Sequence, residues 1–288
     1  MSTSSRAVAA LVPLALAMTP GGPPGKLAGA PPVAPAVTVA VVTDTTDLTL
    51  PVTAYLLSEE DLRLLDEAHT VALERCFERH GVAPPELPSL VPSVPVTHTE
   101  RRYGLADPEL AAASGYHLGD DDGEKPELEL SAEQELVLFG PAEDGMPVAD
   151  GGCSGEAVGA VGGDLGNPEA AQRVDVRGVT LAMKDPRVRE AFAAWSACMA
   201  AHGHDYATPW DPPNDPRFTG PSPGPGEIDV AVDDVACKEQ TNVVGVWYAV
   251  DAALQTVMIG RDADVFAGIA AERADRLDRA RAVLAARP

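Results

Sequence analysis

The chain has 288 residues, 45% of them hydrophobic but only 5% aromatic, so a sizeable core must be built mainly from Val, Leu and Ala. Its formal net charge of −23 excludes nucleic acid as a partner and disfavours anionic lipid, because phosphate binding needs clustered Lys and Arg. Acidity of this kind suits a protein kept soluble by self-repulsion.

The N-terminus carries Arg6, an apolar run from Ala7 to Met18 and a Pro/Gly-rich turn from Thr19 to Pro24. This arrangement predicts a secretory signal peptide, with small-x-small cleavage points at Ala15-Leu16-Ala17 and Ala28-Gly29-Ala30. The run is shorter than the roughly 20 residues a bilayer span needs, so no transmembrane span is expected. With no cysteine before Cys76, no lipid anchor is expected either. Residues 1–36 are read as signal peptide and disordered linker.

Val37 to Val42 is β-branched and predicts a short strand. Ser58-Glu59-Glu60-Asp61 has the form of a helix cap, and the helix it opens runs to His80, with Gly81 as the stop. Leu62, Leu65, Ala72, Leu73, Cys76 and Phe77 form its apolar stripe, with His69 as a core histidine among them. An extended Pro-rich traverse follows from Pro84 to Pro95. Asp107-Pro108 starts a short helix that ends at Gly115, and Ser131 to Gln134 caps another that reaches Leu138.

Gly151-Gly152 gives a flexible approach to Cys153, with a Gly/Ala-rich stretch behind it. A helix over Pro168 to Met183 is expected to be interrupted near Gly178. Asp185-Pro186 opens the next, whose core face is Val188, Phe192, Trp195 and Met199. Tyr206 to Gly226 holds seven prolines and must be loop. From Glu227 to about Ala286 a helical period persists without proline, as one long helix or as two broken near Thr241-Asn242 or Gly260. Val243, Trp247, Val250, Leu254 and Val257 mark its buried side.

One motif occurs twice at a helix end: Cys76-Phe77-Glu78-Arg79-His80-Gly81 and Cys198-Met199-Ala200-Ala201-His202-Gly203. Cys153 and Cys237 each lie downstream of one copy. Four cysteines allow three connectivities. The repeat favours Cys76 with Cys153 and Cys198 with Cys237, as structural disulfides of an exported protein. The resulting expectation is a mainly α, disulfide-stapled fold with long Pro-rich loops and a long C-terminal helix. It has a first helical unit over 37–166 and a second over 167–288.

Other chemistry is weaker. Asp120, Asp122 and Glu129 around Gly123 approach a calcium loop, but Leu118 stands where the first acidic ligand belongs, and a solvated acidic loop is the expectation. His202-Gly203-His204-Asp205 offers ligand types, yet histidines at helix ends are commonly caps, so no metal site is assigned. Gly152-Cys153-Ser154-Gly155-Glu156 fails the nucleophile-elbow pattern at its fifth residue. Tyr206 and Trp210 lie on a Pro-rich loop expected to pack over the helices. No catalytic residue and no cofactor are assigned.

Further motifs occur in a fixed order: Leu50-Pro51 with Tyr55, Arg102-Tyr103-Gly104, Gly115-Tyr116-His117, Gly152-Cys153 with Glu156-Ala157, Trp195 with Cys198-Met199, and Glu227 with Ala231, Asp234 and Cys237. Over about residues 48–286 this order resembles an uncharacterised family of secreted and lipoprotein-type actinobacterial proteins with four cysteines. The resemblance implies a place outside the cytoplasm and brings no activity, ligand or active site. The expectation is a secreted, non-catalytic protein that binds a partner or ligand at the cell envelope, through the C-terminal segment Glu227 to Ala286. An envelope spacer and an extracytoplasmic hydrolase are the competing classes.

Overall fold

A computed structural model describes residues 32–46, 48–87, 89, 99, 102–117, 129–141, 151–163, 166–220 and 222–286. The signal segment, both cleavage points, most of the Pro84–Pro95 traverse and the acidic loop from Leu118 to Pro126 lie outside them. Among the described residues the protein is helical and contains no strand. Its helices are α1 (Glu59–His80), α2 (Pro108–Ser114), α3 (Ala132–Phe139), α4 (Gly152–Ala160), α5 (Glu169–Ala182), α6 (Pro186–Ala201), α7 (Pro225–Thr241), α8 (Val243–Arg261) and α9 (Ala263–Ala285). Short 3-10 turns occupy Pro51–Tyr55, Pro212–Asn214 and Pro216–Phe218.

The caps behave as their residue types require. Ser58 and Ser131 each form a reciprocal capping box, with Asp61 and Gln134 three residues on. Asp107 and Asp185 accept amide hydrogens at the starts of α2 and α6, each followed by proline in the first turn. Gly81 closes α1 in the left-handed region at φ 71°.

α8 is the hub. It packs against α5, α6, α7 and the 51–55 turn, and buries Val243, Trp247, Val250 and Leu254 in the main core. Its length and apolar composition would also suit a bilayer span, but here they serve a helix surrounded by other helices. α1 lies between α4 and α9 on the other side of the molecule, with two smaller apolar clusters beside it. The halves divided at residue 166 meet along α1 and α9, and residues Pro32–Pro288 form one compact unit.

Four local expectations change. The run from Glu227 onward is broken at both candidate places, giving α7, α8 and α9. Asn242, at φ 49°, makes the first break, and Asp262 ends α8 just after Gly260. Val37 to Val42 stays extended but forms no strand, because its partner is a side chain. The Asn242 amide accepts from the Val42 N–H at 3.0 Å and donates to the Ala40 carbonyl at 2.9 Å, as a neighbouring strand would. Gly152 opens a helix that carries Cys153, where a flexible approach was expected. α5 runs unbroken through Gly178, whose missing side chain lets Asp251 and Gln255 of α8 approach: a Cβ there would stand 2.5 Å from Asp251 Oδ1.

Candidate functional site

The bridges form as the repeat suggests, Cys76–Cys153 and Cys198–Cys237, with Cα–Cα separations of 5.5 and 5.7 Å. Their surroundings differ. Cys76 and Cys153 are 2% and 0% exposed, within a cluster made with Ala72, Leu73, Phe77, Leu138 and Ala157. In the second pair Cys237 is fully buried, while Cys198 is half-buried at the end of α6. In each copy the histidine four residues after the cysteine brings a ring nitrogen to within 4.8 Å of both sulfurs.

His202 and His204 converge on one carboxylate. Asp233 of α7 meets His202 Nδ1 at 3.1 Å and His204 Nε2 at 2.8 Å. The His-Gly-His run thus works as a clamp between the end of α6 and α7. His69 is half-buried on α1, and burial lowers its basicity against the pull of Asp66. Glu129 is exposed.

Two buried polar networks are built on α7 and α8, one on each helix, and the segment 102–105 contributes to both. In the first, Asp234 accepts from Trp195 Nε1 at 3.0 Å, from the Tyr116 hydroxyl at 3.1 Å and from Lys238 Nζ at 2.8 Å. Lys238 also donates to the Leu105 carbonyl at 2.7 Å. Asp234 and Lys238 are both essentially without solvent contact, so each supplies the countercharge that the other's burial demands. Two turns earlier, Glu227 Oε1 accepts the Tyr116 amide at 2.9 Å and meets His117 Nδ1 at 2.8 Å. His117 Nε2 stands 2.8 Å from the Gly220 carbonyl, which ties the Pro-rich loop to α7.

In the second network Asp251 accepts from Arg102 Nε at 2.7 Å and from the Tyr103 hydroxyl at 2.8 Å. Arg102 reaches Asp175 of α5 as well, at 2.6 Å. Gln255 donates to Asp251 and accepts the Val52 amide at 3.1 Å, fixing the 51–55 turn. Burial pushes both aspartates above the ordinary carboxyl range, opposed by Lys238 in one network and by Arg102 in the other. Tyr103 and Tyr116 are pushed far up, first by burial and then by the carboxylates they face. Tyr116, His117, Trp195, Glu227 and Asp234 thus meet in the first network, and Arg102 and Tyr103 in the second.

Periodicity did not single out Lys238, Asp251 or Gln255. Their signal was available: Asp234 and Lys238, like Asp251 and Gln255, are spaced i,i+4, and Asp251 sits on the same apolar stripe as Trp247 and Leu254. The Tyr206–Trp210 segment packs down onto the helices. Trp210 lies 5.3 Å from the Trp247 ring and donates to the Arg102 carbonyl, while burial and Asp215 push Tyr206 up to about 12.

A cleft of about 420 Å³ opens between the start of α5 and α9. Tyr55, Leu57, Asn167, Ile269, Arg273 and Arg276 contribute to its lining. Arg273 is held by Asp61, 3.1 Å from its Nε, and Asn167 Oδ1 accepts the Leu57 amide at 2.8 Å. Both hold the wall in place from neighbouring elements. No family model matches this chain, and neither a curated protein nor a solved structure is found to be similar to it.

Proposed function

We propose that this is a secreted, non-catalytic, disulfide-stapled protein that binds a small ligand or a partner segment at the cell envelope, in the cleft between α5 and α9. Two bridges, joining residues 77 and 39 positions apart, support an oxidising compartment. The observation that carries binding is the cleft itself. It gathers Arg273 and Arg276, with Glu169 and Glu272 in the same lining, beside apolar groups of Tyr55, Leu57 and Ile269. That composition suits a ligand with charged groups of both signs and an apolar body. The strongly perturbed carboxylates lie elsewhere, locked to cations inside the fold, where they serve the scaffold.

Protein recovered from the native host tests the compartment. The expected product is found in the medium, begins after Ala17 or Ala30, and contains both bridges by non-reducing peptide mapping. An untrimmed cytoplasmic chain with four free thiols overturns the reading. For the cleft, envelope fragments carrying an ammonium group together with a carboxylate or phosphate are expected to raise the melting temperature of the wild type. Glu272→Trp, at an exposed position on the rim, should abolish that rise and leave the ligand-free melting temperature unchanged. Equal responses in both proteins would remove the cleft as the site.

A further inference from the structure

Both copies of the repeat place two cysteine sulfurs and a histidine nitrogen within 4.8 Å of one another. Two thiolates and an imidazole are the ligand set of a thiophilic d10 cation. In the oxidised chain each sulfur is bonded to its partner, so the two cysteines present no thiolate. Whether a cluster can become a metal site therefore depends on which bridge a reductant can reach. The first bridge has sulfurs on residues 2% and 0% exposed, under Phe77 and Leu138. The second has Cys198 half-buried at a helix end, beside His202, whose side chain is 45% exposed.

A further feature separates the second copy. Asp233 meets His202 at Nδ1, 3.1 Å away. A carboxylate on one ring nitrogen selects the tautomer in which the other, Nε2, is the lone-pair donor, and it raises the basicity of that donor. The same carboxylate grips His204, so the imidazole is held from the α7 side by a group that is itself fixed.

We propose that Cys198, Cys237 and His202 form a redox-gated zinc site. A dithiol opens it by reducing the Cys198–Cys237 bridge. The S–S bond breaks, two electrons and two protons pass to the cysteines, and the reductant closes as its own disulfide. As zinc binds, each cysteine releases its proton to solvent and forms an S–Zn bond. His202 supplies the third protein ligand and water the fourth. Asp233 is the positioning residue. This site lies apart from the α5–α9 cleft, and its test does not depend on what that cleft binds.

The experiment uses the full chain treated with a water-soluble phosphine, which reduces disulfides without competing strongly for zinc. Thiol labelling and peptide mapping follow each bridge, circular dichroism follows the helices, and zinc is titrated against a chromophoric chelator. Cys198 and Cys237 should label before Cys76 and Cys153, with the helical signal retained. The reduced chain should then take up zinc, and cobalt in its place should give the absorption band of thiolate coordination. His202→Ala keeps the bridge available and should weaken zinc binding at least about tenfold, and Asp233→Asn by about tenfold. His80→Ala should change neither value. No uptake after reduction, equal uptake by His202→Ala, earlier opening of the Cys76 bridge, or loss of helicity when Cys198 is freed would each overturn the proposal.

Discussion

The two corners that hold the repeated Cys-x-x-x-His motif are stabilised by different physics. At the first, α1 meets α3 and α4 through small and apolar side chains, with the exposed Arg79–Glu156 pair beside them. At the second, α6 and α7 meet through Trp195, Tyr116, Asp234 and Lys238, with ionised groups inside and the disulfide nearer the surface. The same local motif therefore does not dictate its surroundings. A helix end with a cysteine inside accepts either an apolar cushion or a matched charge pair, provided each buried polar group finds its partner.

That contrast can be broken by substitution. Lys238→Met leaves Asp234 buried without its cation and should cost about 3–5 kcal/mol in urea denaturation. A loss below about 1 kcal/mol would make the second corner no more charge-dependent than the first. Phe77→Ala empties the apolar corner and should cost about 3–4 kcal/mol, with a response to ionic strength no different from wild type. Gly178→Ala brings a methyl against Asp251 and Gln255, and a drop of about 1–3 kcal/mol in calorimetry would show that the α5–α8 contact cannot give way.

The smallest effect belongs to the other end of α1. Burial pushes the Asp61 carboxyl up, but the Ser58 amide and hydroxyl and the Arg273 guanidinium outweigh it and hold the group below its ordinary range. Near that range the folded chain binds fewer protons at Asp61 than the unfolded chain does. The stability it contributes is present above about pH 4 and fades as the pH falls through the folded value. Since Arg273 is 33% exposed, Asp61→Asn should remove less than about 1 kcal/mol at neutral pH and flatten the acid limb of the stability profile. An unchanged acid limb would mean that the pair is idle.

Local chemistry explains how much of this was legible. Ser58, Asp107, Ser131 and Asp185 announce helix starts because capping depends on a few adjacent atoms, and each does cap a helix. The pairing of the bridges followed from the repeat. The meeting of Arg102 with Asp251, and of Tyr116 with Asp234, did not, because each joins residues more than 100 positions apart that no spacing rule connects. The cleft was equally hidden, since Tyr55, Asn167 and Arg273 come from three distant segments. Val37 to Val42 shows a subtler failure. Its β-branched residues favour an extended backbone and obtain one, but a side-chain amide took the place of the strand that the composition implied.

The grip of Asn242 on Ala40 and Val42, joined by that of Gln255 on Val52, sets an order of events. These hydrogen bonds span 200 to 203 positions, so the earliest part of the body to be synthesised cannot settle until α7 and α8 exist. Until then residues 37–52 have no partner for those backbone groups. The last third of the protein thus acts as the latch for the first, and a chain cut short before residue 242 would leave its opening segment with nothing to close against.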